Sequence, residues 1–161
     1  MNNLLEITYF SDYYHYVIGL LDRLGIVADR STLAKSSRVR APSIVIGEVR
    51  APRESSFLLE SALPFEPRNG IIFLDGSFLR FKETVQVNRR TGTEILAYSY
   101  HYQRPGENFF VRFDSEEQPT LDSIRKPKHH LHTSAKPELH LPSTPVELEF
   151  VLQFIKANFF S

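Results

Sequence analysis

Residues 69–114 read NGIIFLDGSFLRFKETVQVNRRTGTEILAYSYHYQRPGENFFVRFD, and this stretch decides the fold. It holds three extended runs: Ile71–Val87, folded back at Asp75-Gly76, then Thr93–Arg104 and Asn108–Asp114. Turn chemistry at Asn88–Gly92 and Pro105-Gly106 separates them. Glycine accepts the positive φ that the twist of paired strands demands, so such dipeptides between extended runs are hairpin signals. An antiparallel meander is expected.

Alternation within the runs assigns two faces. Leu79, Phe81, Val85 and Val87 fall on one side of the first long strand, with Phe78, Arg80, Lys82, Thr84 and Gln86 on the other. A period of 2 with this contrast argues a half-buried strand. Glu83 breaks the rule by sitting on the apolar side. In the last run Phe109, Val111 and Phe113 oppose Phe110, Arg112 and Asp114, while the middle run splits into Tyr98, Tyr100, Tyr102 against Ala97, Ser99, His101. Which ionisable residues share a face depends on register, since a slip of one residue inverts a strand.

Outward from the meander, composition bounds the class. A chain of 161 residues is the size of one ordinary domain, enough to bury roughly two thirds of its unfolded surface. With 42% hydrophobic and 24% charged residues, it has the balance of a globular protein and not of a disordered one. Lysine plus arginine equals aspartate plus glutamate at 19 each, which argues against a broad nucleic-acid-binding surface but leaves room for a local basic site. Cysteine is absent, excluding disulfides, thiol nucleophiles and zinc–cysteine sites. Neither a run of ~20 apolar residues nor a signal peptide is present, so a cytoplasmic protein with no membrane span is expected. Thirteen phenylalanines and seven tyrosines favour sheet, because aromatic side chains suit a pleated surface.

Before the meander, residues 1–68 read as a helix and a variable lead-in. Met1–Phe10 is an anchor strand or a loose segment. Ser11 offers an N-cap, Asp12 lies in the first turn, the spacing Tyr13, Tyr16, Val17, Leu20, Leu21, Leu24 predicts a helix, and Gly25 is its terminator. Ile26–Arg40 reads as an irregular or weakly helical connection, Ser43–Val49 as a short strand, and Ser56–Leu63 as a strand or a helical turn. After the meander, residues 115–143 carry four prolines, four of the six histidines and four Lys/Arg side chains without apolar periodicity, the profile of a functional or disordered loop. Thr144-Pro145-Val146-Glu147 then reads as a capping box with Pro at the first helical position, opening a C-terminal helix with the stripe Leu148, Val151, Leu152, Ile155, Phe159. The expected whole is a single α+β domain over residues 1–161, an antiparallel β-meander packed with an N-terminal and a C-terminal helix.

Taken in order, LDGSFLRFKE, YSYHYQRPGENFFVRFD, KHHLH and PVELEFVLQFI resemble the TumE family of toxin components of type II toxin–antitoxin pairs, over Gly70 to Ile155. The resemblance implies a small cytoplasmic α+β protein encoded with a protein antitoxin and acting on RNA. The chain departs from the family pattern after Asp114, where Ser115-Glu116-Glu117-Gln118-Pro119 stands in place of an Asn-rich turn.

The most suggestive constellation is Lys128-His129-His130-Leu131-His132, with Arg125 and Lys126 before it and His140 after. Imidazoles exchange protons near neutral pH and neighbouring cations stabilise a pentavalent phosphoryl transition state, which is what a ribonuclease working without a cofactor needs. His130 and His132 could instead ligate one ion with a third group such as His101 or Asp114, although the spacing is no recognised zinc motif. His101 and Arg112 form a proton-transfer group beside a phosphate clamp if they share a cleft. Glu83, costly to bury unpaired, is expected to meet Arg112 or Arg104. Tyr98, Tyr100 and Tyr102 could stack bases or pack beneath a helix. The leading expectation is therefore metal-independent acid–base cleavage of RNA by His101, Arg112, His129, His130 and His132. Tyr100, Tyr102, Arg104, Arg125, Lys126 and Lys128 would bind substrate, Glu83 and Asp114 would serve as structural or site carboxylates, and neither metal nor cofactor is called for. The rival is a non-catalytic module that binds a protein partner, with Asn158–Ser161 as a docking edge.

Overall fold

The structure, a computed structural model, describes residues 10–36, 56–60, 70–88, 92–106, 108–115 and 126–160. Two helices, α1 (Phe10–Leu24) and α2 (Leu148–Phe159), accompany nine strands. These are β1 (Val27–Asp29), β2 (Ala34–Ser36), β3 (Ser56–Glu60), β4 (Ile71–Phe73), β5 (Phe78–Asn88), β6 (Gly92–Gln103), β7 (Phe110–Ser115), β8 (His129–Thr133) and β9 (Lys136–Pro142). All pairings are antiparallel. The main path runs β1-β4-β5-β6-β7-β8-β9, and β3, carrying β2, pairs with the far half of β5. The α+β meander with terminal helices is as the sequence predicts.

The turns sit where the glycines place them. Gly76 has φ 79° and its N–H donates to the Phe73 carbonyl at 2.9 Å, so the chain reverses at Asp75-Gly76; Gly106, at φ 68°, serves the β6–β7 connection. From there the register follows. Leu79 pairs Tyr102, Phe81 pairs Tyr100 and Glu83 pairs Tyr98. Across the next ladder Tyr102 faces Val111, Tyr100 faces Phe113 and Tyr98 faces Ser115. Directly paired residues project from the same side of a sheet, so this side holds the tyrosines and apolar residues. A register shift between Thr84 and Val85 leaves Leu96 without a partner, a bulge that strengthens the local twist.

Both helices cover that side. Val17, Leu20, Leu21 and Leu24 of α1 and Leu148, Val151, Leu152 and Ile155 of α2 join Ile71, Phe73, Leu79, Phe81, Tyr100 and Tyr102 in one core. Phe159 stacks on Tyr102 at 5.0 Å between ring centroids, and Phe160 lies 5.9 Å from Phe73. The tail expected to be a docking edge thus packs, half-buried, against the core at both phenylalanines. Lys156 Nζ donates to the Leu24 carbonyl at 2.8 Å, placing a cation on the negative end of α1, where Gly25 (φ 76°) ends the helix as expected.

Several local expectations are corrected. Helix α2 begins at Leu148 with Glu147 as N-cap and no side-chain cap bond, so Thr144 and Pro145 lie outside it. The cause is tertiary: Val146 is buried and its N–H donates to Tyr98 Oη at 3.2 Å, which holds the chain extended along the sheet. Helix α1 starts at Phe10, one residue before the expected cap. Within Ile26–Arg40 the described part contains β1 and β2 rather than an irregular or weakly helical connection, whereas for Ser56–Glu60 the strand alternative holds. Residues 1–9, 37–55 and 116–125, including the Ser43–Val49 run and Arg125, lie outside the described residues.

The largest correction concerns the histidine-rich segment, much of which is no loop. Residues 129–142 form the hairpin β8–β9, turning at Ser134-Ala135. In β8 His130 and His132 are buried on one side while His129, Leu131 and Thr133 take the other, a period-2 pattern written in histidines instead of aliphatic residues. Prolines 137 and 142 are tolerated because β9 is the outer strand of the path, where a missing N–H disrupts no second ladder. No helix among the described residues is long and apolar enough to cross a membrane.

Candidate functional site

On the sheet side away from the helices, the pairing builds two parallel rows of polar residues. One row runs Arg80, His101, Arg112, His132; the next runs Lys82, Ser99, Asp114, His130. His140, on β9, brings its ring 4.6 Å from His132 and 4.9 Å from His130, centroid to centroid. These rows border a cavity of about 380 Å³ lined by Lys82, Arg112, Asp114, Lys126 and the three imidazoles.

Four of these residues are held by specific contacts. His130 Nδ1 lies 2.7 Å from the Pro127 carbonyl oxygen, and His132 Nδ1 lies 2.9 Å from that of Pro137. A carbonyl only accepts, so each Nδ1 carries a proton, and in the neutral ring each Nε2 presents its lone pair to the cavity. Asp114 Oδ2 is 3.8 Å from His130 Nε2 and 3.5 Å from His132 Nε2. It also accepts from Arg112 Nε at 2.7 Å. That contact uses only Nε, and among the described residues the terminal NH2 groups of Arg112 make no hydrogen bond. Burial pulls His132 and His140 below the usual imidazole range; for His132 the Pro137 carbonyl opposes this, and Arg112 adds to it for both.

Not every predicted site residue is brought here. His101 stands opposite Arg112 in register, but its ring stacks on Phe110 at 5.1 Å and its Nε2 contacts Gln103 Oε1 at 3.2 Å. It does not line the cavity; burial, with Arg112 and Arg80, lowers its pKa while the Gln103 contact opposes the change. His129 projects to the helix side, where Tyr98 Oη lies 3.1 Å from its Nδ1 and the two rings stack at 5.9 Å. One residue of displacement along β8 separates it from the cluster. Tyr100 and Tyr102 are core residues beneath the helices, unable to stack bases. Arg104 lies over the Phe159 ring at 5.5 Å, and Lys128 is exposed and outside the cavity wall.

Glu83 meets no cation among the described residues. Arg112 is on the opposite side of the sheet, and the fully buried Glu83 carboxylate instead accepts from Tyr100 Oη at 2.6 Å and Tyr13 Oη at 2.7 Å. Burial raises its pKa from 4.5 to about 7, partly offset by those two donors, with the charge of Glu147 adding to the rise.

Lys82 joins the site without having been singled out from the sequence, and His140, named in the constellation but given no role there, joins it too. The signal for His140 was the spacing His130, His132 and then His140 across a short turn: alternate residues of one strand point the same way, and a hairpin partner can add a third. With this geometry in place, comparison with known proteins is informative. The family model described as Toxin TumE matches residues 29–159, a span that contains every residue of the cavity. No curated protein and no solved structure matches the chain.

Proposed function

The chain belongs to the TumE toxin family, and on that premise we propose that it is the toxin of a type II pair, acting in the cytoplasm by cleaving phosphodiester bonds of RNA and held in check by a protein antitoxin encoded beside it. The observation that carries this reading is the convergence of Arg112, Lys82 and Lys126 with three imidazoles and Asp114 on one cavity. Phosphodiester cleavage needs a clamp for a phosphate and a group that generates an attacking oxygen.

Arg112 suits the clamp. Its Nε is anchored by Asp114, which fixes the guanidinium plane and leaves its terminal NH2 groups for a bidentate grip on phosphate. Lys126 and the exposed Lys82 add positive charge along the wall. The Nε2 lone pairs of His130 and His132 supply the basic side of the reaction, because their Nδ1 protons are committed to backbone carbonyls. Within this reading His101 positions the β6–β7 surface instead of touching substrate, and His129 has no catalytic part.

Expression of the wild-type chain without its neighbour gene should arrest growth, with new cleavage ends in RNA from the arrested cells. Arg112→Gln and His132→Ala should each relieve both effects at equal protein level. Undiminished arrest by both variants would defeat the assignment. Arrest without RNA ends, abolished by the neighbour gene product, would favour the interaction-module alternative.

A further inference from the structure

We propose that Nε2 of His130, Nε2 of His132, a ring nitrogen of His140 and Oδ2 of Asp114 are the four donors of a site for one divalent transition-metal ion of the zinc class. Four observations carry this, and none depends on the RNA reading.

The first is the tautomer. A ligating histidine characteristically donates its other ring N–H to a carbonyl or carboxylate, which fixes the ring and aims the lone pair. Both buried imidazoles do so, to Pro127 and Pro137 at 2.7 and 2.9 Å. The second is an orphan. His132 is 3% exposed, yet its Nε2 has no hydrogen-bond partner among the described residues. Buried polar atoms nearly always find partners, so a buried lone pair aimed into a cavity of lone pairs points to a Lewis acid.

Distance supplies the third. Bonds of about 2.0–2.1 Å to a tetrahedral ion place its donors about 3.3 Å apart. Asp114 Oδ2 already stands 3.5 and 3.8 Å from the two buried Nε2 atoms. The donor nitrogens of all three histidines lie within 4.8 Å of one another, so binding requires the imidazoles to draw closer around the ion. The fourth is donor chemistry: three imidazoles with one carboxylate favour zinc, cobalt or nickel over magnesium or calcium. Arg112 then acts as an outer partner, orienting Asp114 through its 2.7 Å contact. Compared with the sequence reading, the ion keeps His130, His132 and Asp114, gains His140 and loses His101.

If the RNA reading also holds, such an ion lies in the same cavity as Arg112 and Lys126, where it would polarise a phosphoryl oxygen and acidify a bound water. The attacking oxygen would then be generated through the ion instead of by a bare imidazole.

The test uses the full chain without an affinity tag, stripped with chelator and titrated with cobalt(II) or zinc(II) chloride alone. One equivalent of cobalt should bind, give the visible absorption of tetrahedral cobalt(II), and be displaced by zinc. His140→Ala, on the outer strand where folding is least at risk, should weaken binding by more than the 10–100-fold typical of outer-shell changes. Asp114→Asn should weaken binding and alter the cobalt spectrum, and His15→Ala on α1 should do neither. Absence of saturable uptake by the wild-type chain would overturn the site, as would one equivalent held equally well by His140→Ala and Asp114→Asn. Because the readout contains no RNA, its failure and a failure of the cleavage assay are separate results.

Discussion

Replacing Glu83 by glutamine should remove most of a pH dependence of stability that the wild-type chain carries near neutrality. The Glu83 carboxyl is fully buried, and burial raises its folded pKa to about 7 from 4.5. The folded state therefore holds a proton that the unfolded state releases earlier. For a group whose pKa is raised on folding, the stabilising contribution is complete below the unfolded value. It declines as pH climbs from 4.5 and is gone above about 7. At about 1.4 kcal/mol for each tenfold change, the gap between 4.5 and about 7 amounts to roughly 3 kcal/mol. Since urea slopes are about 1–3 kcal/mol per molar, the midpoint should fall by roughly 1–3 M across that window. Groups facing Glu83 are Tyr13 on α1, Tyr100 on β6 and, at longer range, Glu147; burial holds both tyrosine hydroxyls well above their ordinary value, outside this range. His132 and His140, with lowered pKa values, act in the opposite sense but are common to both proteins and cancel in the difference. Urea midpoints for wild type and Glu83→Gln, taken from below 4.5 to above 7, should agree at the low end, where both side chains are neutral, and favour the variant at the high end. Identical pH slopes would show that the tyrosine donors hold the carboxylate ionised and that the burial argument fails.

Three further outcomes are expected. His129→Ala should leave growth arrest intact while His132→Ala abolishes it, a contrast set by the side of β8 each occupies and read by plating at matched expression. Ile155→Ala, at a fully buried α2 position, should cost about 2–5 kcal/mol in urea unfolding without changing cobalt uptake by the folded protein. Arg112→Gln should cost about 0–1 kcal/mol of stability, because its ion pair is partly exposed, so loss of RNA cleavage by this variant would reflect phosphate binding and not unfolding.

The meander was legible because Asp75-Gly76 and Pro105-Gly106 demand reversals and the runs between them alternate cleanly. Its register was not. Whether Glu83 shares a side with Arg112 turns on ladder positions that no single strand encodes, and the bulge at Leu96 shifts the count midway. The β8–β9 hairpin was hidden for another reason: its inward positions are histidines, so a hydrophobic pattern search passes over it, and its prolines look like breakers when they sit on an outer strand. The onset of α2 shows tertiary structure overriding a local signal, since the Tyr98 hydroxyl accepts the Val146 N–H and holds the expected first turn out of the helix. Of the expected site, His130, His132, Arg112, Asp114 and Lys126 meet around one cavity, whereas His129, Tyr100 and Tyr102 belong to the packed side.

The same alternation makes the sheet a partition one side chain thick. On the proposed reading, loss of an outward imidazole or guanidinium would disarm the outer surface and remove little from the inner one, where Tyr13, Glu83 and Tyr100 are bonded. A lineage escaping its own poison can therefore keep an intact but harmless protein, still shaped to occupy whatever antidote recognises the fold. Silenced copies should show decay concentrated on the outer surface, with the inner one preserved.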